Sequence, residues 1–175
     1  MFLRAFFSLV IALAVALPAA AQVRKAELAG VRNYSKVDAT VGCAGATDAS
    51  AMKALKADGY VSVVNLRLAT EQGADVEAGR AAAQSAGLKY FHIPFNTATP
   101  DAAVVSRFLA TVADKSNQPV FIHCGSANRV GGMWMIKRVL QDHWPIDQAR
   151  TEAEAIGLRE PAMIAFVTEY INTHK

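Results

Sequence analysis

Apolar and polar positions change rhythm repeatedly along this chain, from the unbroken apolar runs of buried strands to the spaced apolar positions of one-sided helices. Residues 60–66 (Tyr-Val-Ser-Val-Val-Asn-Leu) are β-branched and mostly apolar, which predicts a buried strand. A second strand is predicted over 88–93, stopped by Pro94, and a third over 120–122, ending at His123. A short mixed run over 31–37 predicts another strand near the start. Helical stretches lie between them. One opens at Thr47-Asp48 and runs through Lys56, with Asp48 as its cap and Gly59 just past its end. An Ala-rich helix over 75–86 is closed by Gly87. Thr99-Pro100-Asp101 starts the next, with Pro at the first helical position, and it runs to about Lys115. Asn117-Gln118-Pro119 then turns the chain, and helices follow over about 130–142, 146–156 and 161–172. Strands alternating with helices predict an α/β fold with a parallel-rich central sheet and helices on both faces. There is no repeat or linker-like stretch, so the pattern describes one domain.

The first residues stand apart from that alternation. Arg4 precedes an almost unbroken apolar run over 5–17, and Pro18-Ala19-Ala20-Ala21 follows with a small-x-small cleavage pattern. That order predicts a secretory signal peptide over 1–21 and a mature domain over 22–175 in the periplasm or secreted, with no membrane attachment after cleavage. Lys and Arg number 18 against 15 Asp and Glu, without a basic run interleaved with aromatics, which argues against nucleic acid as a partner. Four scattered His residues with no Cys/His spacing pattern give no metal site, and no cofactor is expected.

The chemistry concentrates in His123-Cys124-Gly125-Ser126-Ala127-Asn128-Arg129, between the strand over 120–122 and the following helix. Ligands of open α/β sheets sit outside the carboxyl ends of the strands, where a helix presents its first free N–H groups. Those dipoles favour the thiolate of Cys124 and can cradle the oxygens of a tetrahedral anion above it. Arg129, at the helix start, is unfavourable for the helix dipole unless an anion sits nearby, and its planar fork can grip two oxygens at once. Gly125, and Gly131-Gly132 in the first helical turn, suit a tight loop with the helix packed close to the strand.

With these residues in place, the chain resembles the protein tyrosine phosphatase superfamily, and within it the small bacterial branch related to the phosphatase-like domain of beta-lactamase-hydrolase-like proteins. The strand ending Asn65-Leu66-Arg67, the His92-Ile93-Pro94 step, the His123-Cys124 loop and the Gly157-Leu158 step carry the likeness. It implies a cysteine phosphatase-like fold and hydrolysis of a phosphate monoester, on a phosphorylated small molecule or phosphoprotein. Cys124 would be the nucleophile and form a cysteinyl-phosphate. Arg129 would bind the phosphoryl group, the backbone of Gly125, Ser126, Ala127 and Asn128 would complete the cradle, and His123 would hold the loop. Arg67, at a strand end on the same edge, would steer an anion or pair with Glu71.

Three departures from the family pattern bear on that reading. Four residues separate Cys124 from Arg129 where the usual phosphatase loop has five, a spacing shared with rhodanese-type sulfurtransferases working through a persulfide. Val130 stands where a hydroxyl residue commonly follows the Arg. Asn96 stands where many relatives carry an acidic proton donor, and an amide cannot act as an acid. Asp101 and Glu71 are then the candidate general acids, although Asp101 also suits a helix start. A catalytically silent oxyanion- or phosphoprotein-binding domain is the alternative outside enzymes. Cys43 and Cys124 are the two cysteines, and in an oxidising compartment a disulfide between them, lasting or reversible, competes with the nucleophile role.

Overall fold

The computed structural model describes residues 23–175, so the signal-peptide segment over 1–21 lies outside the described residues. Three predicted strands form near their predicted places. They are β4 (Ser62–Asn65), β5 (Lys89–His92) and β6 (Val120–His123). The run over 31–37 shortens to β2 (Ser35–Lys36), which pairs antiparallel with β1 (Arg24–Lys25) and with β3 (Val41–Ala44). The six strands make one sheet in the order β1-β2-β3-β6-β4-β5, parallel from β3 to β5. Strand β3 was not predicted: its glycine weakens the β signal of Val-Gly-Cys-Ala. Gly42 is nonetheless required there, because a Cβ at that position would lie 2.0 Å from the Tyr60 hydroxyl.

Six α-helices cover the two faces of the sheet. The predicted first helix divides into a 3-10 turn (Ala49–Ala51) and α1 (Met52–Ala57), and the Asp48 side chain makes no capping hydrogen bond. Helix α2 (Val76–Ser85) is capped by Asp75, whose carboxylate accepts from Ala78 N. Helix α3 (Ala102–Ala113) is capped in the same way by Asp101, which leaves Pro100 outside the helix rather than in its first turn. Helices α4 (Asn128–Leu140), α5 (Ile146–Ile156) and α6 (Pro161–His174) complete the chain. Two separate cores result. The larger one packs α3 to α6 against Val64, Ile122 and Cys124, and the smaller one gathers Tyr34, Met52, Leu55, Tyr60 and Phe121 on the opposite face.

Helix α4 carries the Cys124 loop at its start and is buried almost all round. Two devices make that burial possible. Near its C-terminal end the Arg138 guanidinium lies between the rings of Trp134 and Trp144, 4.9 and 4.3 Å from their centres. It pairs with Glu152 at 2.7 Å, Asp38 at 2.8 Å and Asp142 at 3.0 Å, and Trp134 Nε1 donates to Glu152 at 2.8 Å. Every carboxylate of that buried cluster has a cation, so the charge cost of burying α4 is offset locally.

At its N-terminal end the glycine pair sets the spacing to α5 and α6, not to a strand as the sequence suggested. A Cβ on Gly131 would lie 2.6 Å from the carbonyl oxygen of Ala153 and 2.9 Å from Leu158 N, and one on Gly132 2.4 Å from Met163 Cε. The atoms facing Gly131 are backbone and cannot swing aside. We therefore expect Gly131→Ala to destabilise the fold by about 1–3 kcal/mol despite the higher helix propensity of alanine, read as a lowered urea midpoint at constant m-value.

Candidate active site

The site forms where β6 runs into α4, flanked by the loops that follow β3, β4 and β5. Each carbonyl of the loop is held away from its centre. Gly125 O accepts from Ala46 N at 3.0 Å, Ser126 O from Asn33 Nδ2 at 3.2 Å, and Ala127 O from Gly131 N at 2.9 Å. The amides are left without such partners. From Gly125 to Val130, no backbone N–H donates to a protein acceptor among the described residues. A run of unpaired N–H groups at a helix start favours an anion.

The turn between strand and helix is made by Ala127, in the left-handed region at φ 74°. Alanine adopts that region at a cost, and such residues persist where their surroundings over-determine them. The surroundings here are Gly157 and Asn128. A Cβ on Gly157 would approach the Ala127 Cβ to 3.0 Å, so the bare glycine makes room for the turn. Asn128 Oδ1 accepts from the backbone N of both Arg159 and Glu160 at 3.0 Å, tying the loop to the α5–α6 connection.

Cys124 is fully buried beneath this loop, with its N–H donating to Ala44 O at 3.3 Å. Cys43 is buried on the neighbouring strand, and both thiols are free. Cys43 stands beside Ile122 in register, so Cys124 is one strand across and two residues along. At ~4.8 Å between strands and ~3.3 Å per residue, their Cα atoms are roughly 8 Å apart. That exceeds the usual span of a disulfide, so a bridge between them would require the backbone to move. Burial pushes the Cys43 thiol well above the ordinary cysteine range, with nearby Glu152 and Asp38 adding to it.

Arg129 lies in the first turn of α4. Glu71 grips its end, with Nη1 to Oε1 at 2.6 Å and Nη2 to Oε2 at 2.9 Å. Nη1 also donates to Leu66 O at 3.2 Å and Phe95 O at 3.1 Å. Among the described residues Nε–H and the second Nη2 hydrogen donate to no nitrogen or oxygen; they form the edge of the fork beside Cys124, the geometry that binds two oxygens of one anion. Leu68 N and Arg67 Nε complete the surroundings of Glu71, at 2.8 and 3.3 Å. Burial opposes ionisation of Glu71, but Arg129, the Leu68 amide and Arg67 together hold its pKa down at about 2. A carboxylate so held positions Arg129 and is not a proton donor near neutral pH.

The remaining sequence candidates fall in different places. The Arg67 guanidinium is spent on its own loop, with Nη1 donating to Gly73 O at 2.8 Å and Nη2 to Gln72 O at 2.7 Å. Asp101 caps α3 through Ala103 N at 2.8 Å and does not line the cavity over the loop. That cavity has a volume of about 250 Å³, and Glu71, Asn96, Ser126, Asn128, Arg129 and Glu160 contribute to its walls. Glu160 was not a sequence candidate. It directly precedes Pro161 and reads as an ordinary helix-start residue, and only the folding of α6 against α4 brings it to the loop. His123 is buried beside Phe121, and among the described residues neither ring nitrogen has a hydrogen-bond partner, so the imidazole packs against the strand rather than tethering the loop.

The outward carbonyls, the unpaired amides and the arginine at the helix start define a cysteine phosphatase fold. The described sheet and helices superpose on such folds from distant sources. A DUF442 protein from Shewanella putrefaciens is 22% identical with a TM-score of 0.70, covering 83% of this chain and 93% of that one. TpbA of P. aeruginosa is 19% identical with a TM-score of 0.66, covering 89% and 91%. The core catalytic domain of the PP-IP phosphatase SIW14 from S. cerevisiae is 17% identical with a TM-score of 0.66, covering 85% and 89%. Among curated proteins none matches the chain. Residues 32–141 match the family described as beta-lactamase hydrolase-like protein, phosphatase-like domain, and the chain belongs to that family.

Burial makes a pH prediction. Loss of solvent, then the charges of Arg67 and Arg129, lower the His123 pKa from 6.5 to about 3. Between those values the unfolded chain carries a proton on this residue and the folded chain does not, so stability falls as pH drops from 6.5 towards 3. Glu71 adds its own loss below 4.5, continuing towards 2, as its carboxylate protonates in the unfolded chain first. Urea midpoints measured from pH 7 to 5 should decline in the wild type, and His123→Phe should flatten that part of the slope while leaving the Glu71 part below pH 4.5.

Proposed function

We propose that this protein is a cysteine-dependent phosphomonoester hydrolase, exported as the first 21 residues predict. The observation that carries the reading is that, in the loop directly after Cys124, no backbone N–H from Gly125 to Val130 donates to an acceptor among the described residues. A phosphoryl group is the anion whose three oxygens such a loop satisfies together, while the open edge of Arg129 takes two of them. In the reaction the Cys124 thiolate attacks phosphorus and the ester oxygen leaves, giving a cysteinyl-phosphate. Water then attacks phosphorus and returns the thiolate. Charge developing on the oxygens in both steps meets donors already aimed at it, so little reorganisation is needed.

The substrate class is a phosphorylated small molecule or a phosphoprotein. Two structural neighbours support it: a Cys-to-Ser form of TpbA was solved with phosphotyrosine, and SIW14 is named as a PP-IP phosphatase. The test is phosphate release by the mature chain. Cys124→Ser should abolish it, and Arg129→Lys should lower kcat by about 10²–10³-fold, since an ammonium cannot supply the bidentate edge. Phosphate release that survives Cys124→Ser, or activity confined to sulfur transfer from thiosulfate to cyanide, would overturn the proposal.

A further inference from the structure

We propose that Glu160 is the general acid and base of this site, an assignment that rests on the phosphatase reading above. An alkyl or weakly acidic aryl phosphate needs a proton delivered to its leaving oxygen, because an unprotonated alkoxide is a poor leaving group. Asn96, on the loop after β5, has no acidic proton to give, and its side-chain oxygen is already accepting from Ala98 N at 3.0 Å. Asp101 is further along the same loop, capping α3 and absent from the cavity walls. Glu71 lines the cavity but accepts four hydrogen bonds from Arg129, Arg67 and Leu68, and cannot release the guanidinium without loosening the phosphate site. The one other carboxyl in the cavity walls is Glu160.

Its circumstances differ from those of Glu71 in the ways a proton shuttle requires. Among the described residues its side chain makes no hydrogen bond or ion pair, and it does not cap α6 although it stands at the cap position. Its backbone is fixed relative to the reacting centre, because its N–H donates to Asn128 Oδ1, and Asn128 is itself the last residue before Arg129 in the nucleophile loop. The carboxyl is thus free in its rotamers while its root moves with the loop. The groups that share its surroundings are Arg129 of α4, Glu71 of the loop after β4, and its chain neighbour Arg159.

The steps balance with water as the only co-reactant. As the S–P bond forms, the P–O ester bond breaks, its electron pair passes to the leaving oxygen, and that oxygen takes the Glu160 proton. In the second half, water gives a proton to the Glu160 carboxylate as its oxygen bonds phosphorus, and the S–P electron pair returns to Cys124. Proton transfer of this kind contributes about 10²–10⁴-fold, and more of it is needed as the leaving group becomes more basic.

The experiment compares wild type, Glu160→Gln, Glu160→Asp and Asp101→Asn on phenyl phosphate and on p-nitrophenyl phosphate, whose leaving group is far less basic. Glu160→Gln should lose about 10²-fold or more in kcat on phenyl phosphate and much less on p-nitrophenyl phosphate. It should also lose the fall of kcat with phenyl phosphate on the alkaline side of the pH profile, and Glu160→Asp should restore part of both. Equal loss on the two substrates, an unchanged alkaline limb, or the selective loss appearing in Asp101→Asn instead would overturn the assignment while leaving the phosphatase reading intact. A wild type inactive on both esters, or active after Cys124→Ser, would instead overturn the reading on which the assignment rests.

Discussion

The chemistry of this molecule depends on which way the peptide groups of one short loop are turned. A peptide has a donor and an acceptor, and a loop that collected both around its centre would repel an anion with half its atoms. Here the acceptors are occupied elsewhere: Ala46 N holds the carbonyl of Gly125 and Asn33 Nδ2 that of Ser126. Neither partner belongs to β6 or α4. Both come from the segment around β2 and β3, so the antiparallel part of the sheet, which carries no chemistry of its own, fixes the polarity of the site.

A second constraint acts on the arginine. A guanidinium at a helix start opposes the helix dipole, and an uncompensated one would be expected to swing into solvent. Glu71 and the carbonyls of Leu66 and Phe95 hold it instead, reaching it from the loops after β4 and β5. Arg67, read from sequence as a residue that would meet the ligand or pair with Glu71, takes the second course and shapes the loop that delivers Glu71. The positive end of the site is therefore assembled from three strands at once, and the Arg138 cluster behind it anchors the far end of the same helix.

What could be read before folding was the part written in contiguous residues. The apolar runs of β4 and β6, the span of α5 and the loop around Cys124 are local patterns, and they formed close to where periodicity put them. What could not be read arises between segments. Strand β3 is hidden because Gly42 must yield space to Tyr60, a residue far along the chain. The glycine pair in α4 looked like a helix-to-strand contact, since nothing in the sequence says which neighbour will press on it. His123 seemed a tether because its place beside Cys124 suggested one, but its ring lies on the opposite face of β6 from the sulfur, as alternation along a strand dictates. Glu160 carries no local signal because it sits 36 positions after Cys124 in the chain, and only helix packing closes that gap.

The unusual backbone at Ala127 has a consequence for how this chain can vary. Its left-handed turn brings its methyl group against the one position, Gly157, where a side chain would collide with it. The two residues lie on different helices' approaches and share no hydrogen bond, yet what stands at 157 is limited by what stands at 127. Glycine at 127 would relieve the conformational cost there but would not admit a side chain at 157, whose own φ of 151° and closeness to Asn33 Nδ2 and the Ala127 backbone also require glycine. The constraint therefore runs one way: Gly157 is fixed by its own backbone as well as by its neighbour, and the short step after α5 is bound to the loop through steric exclusion rather than attraction.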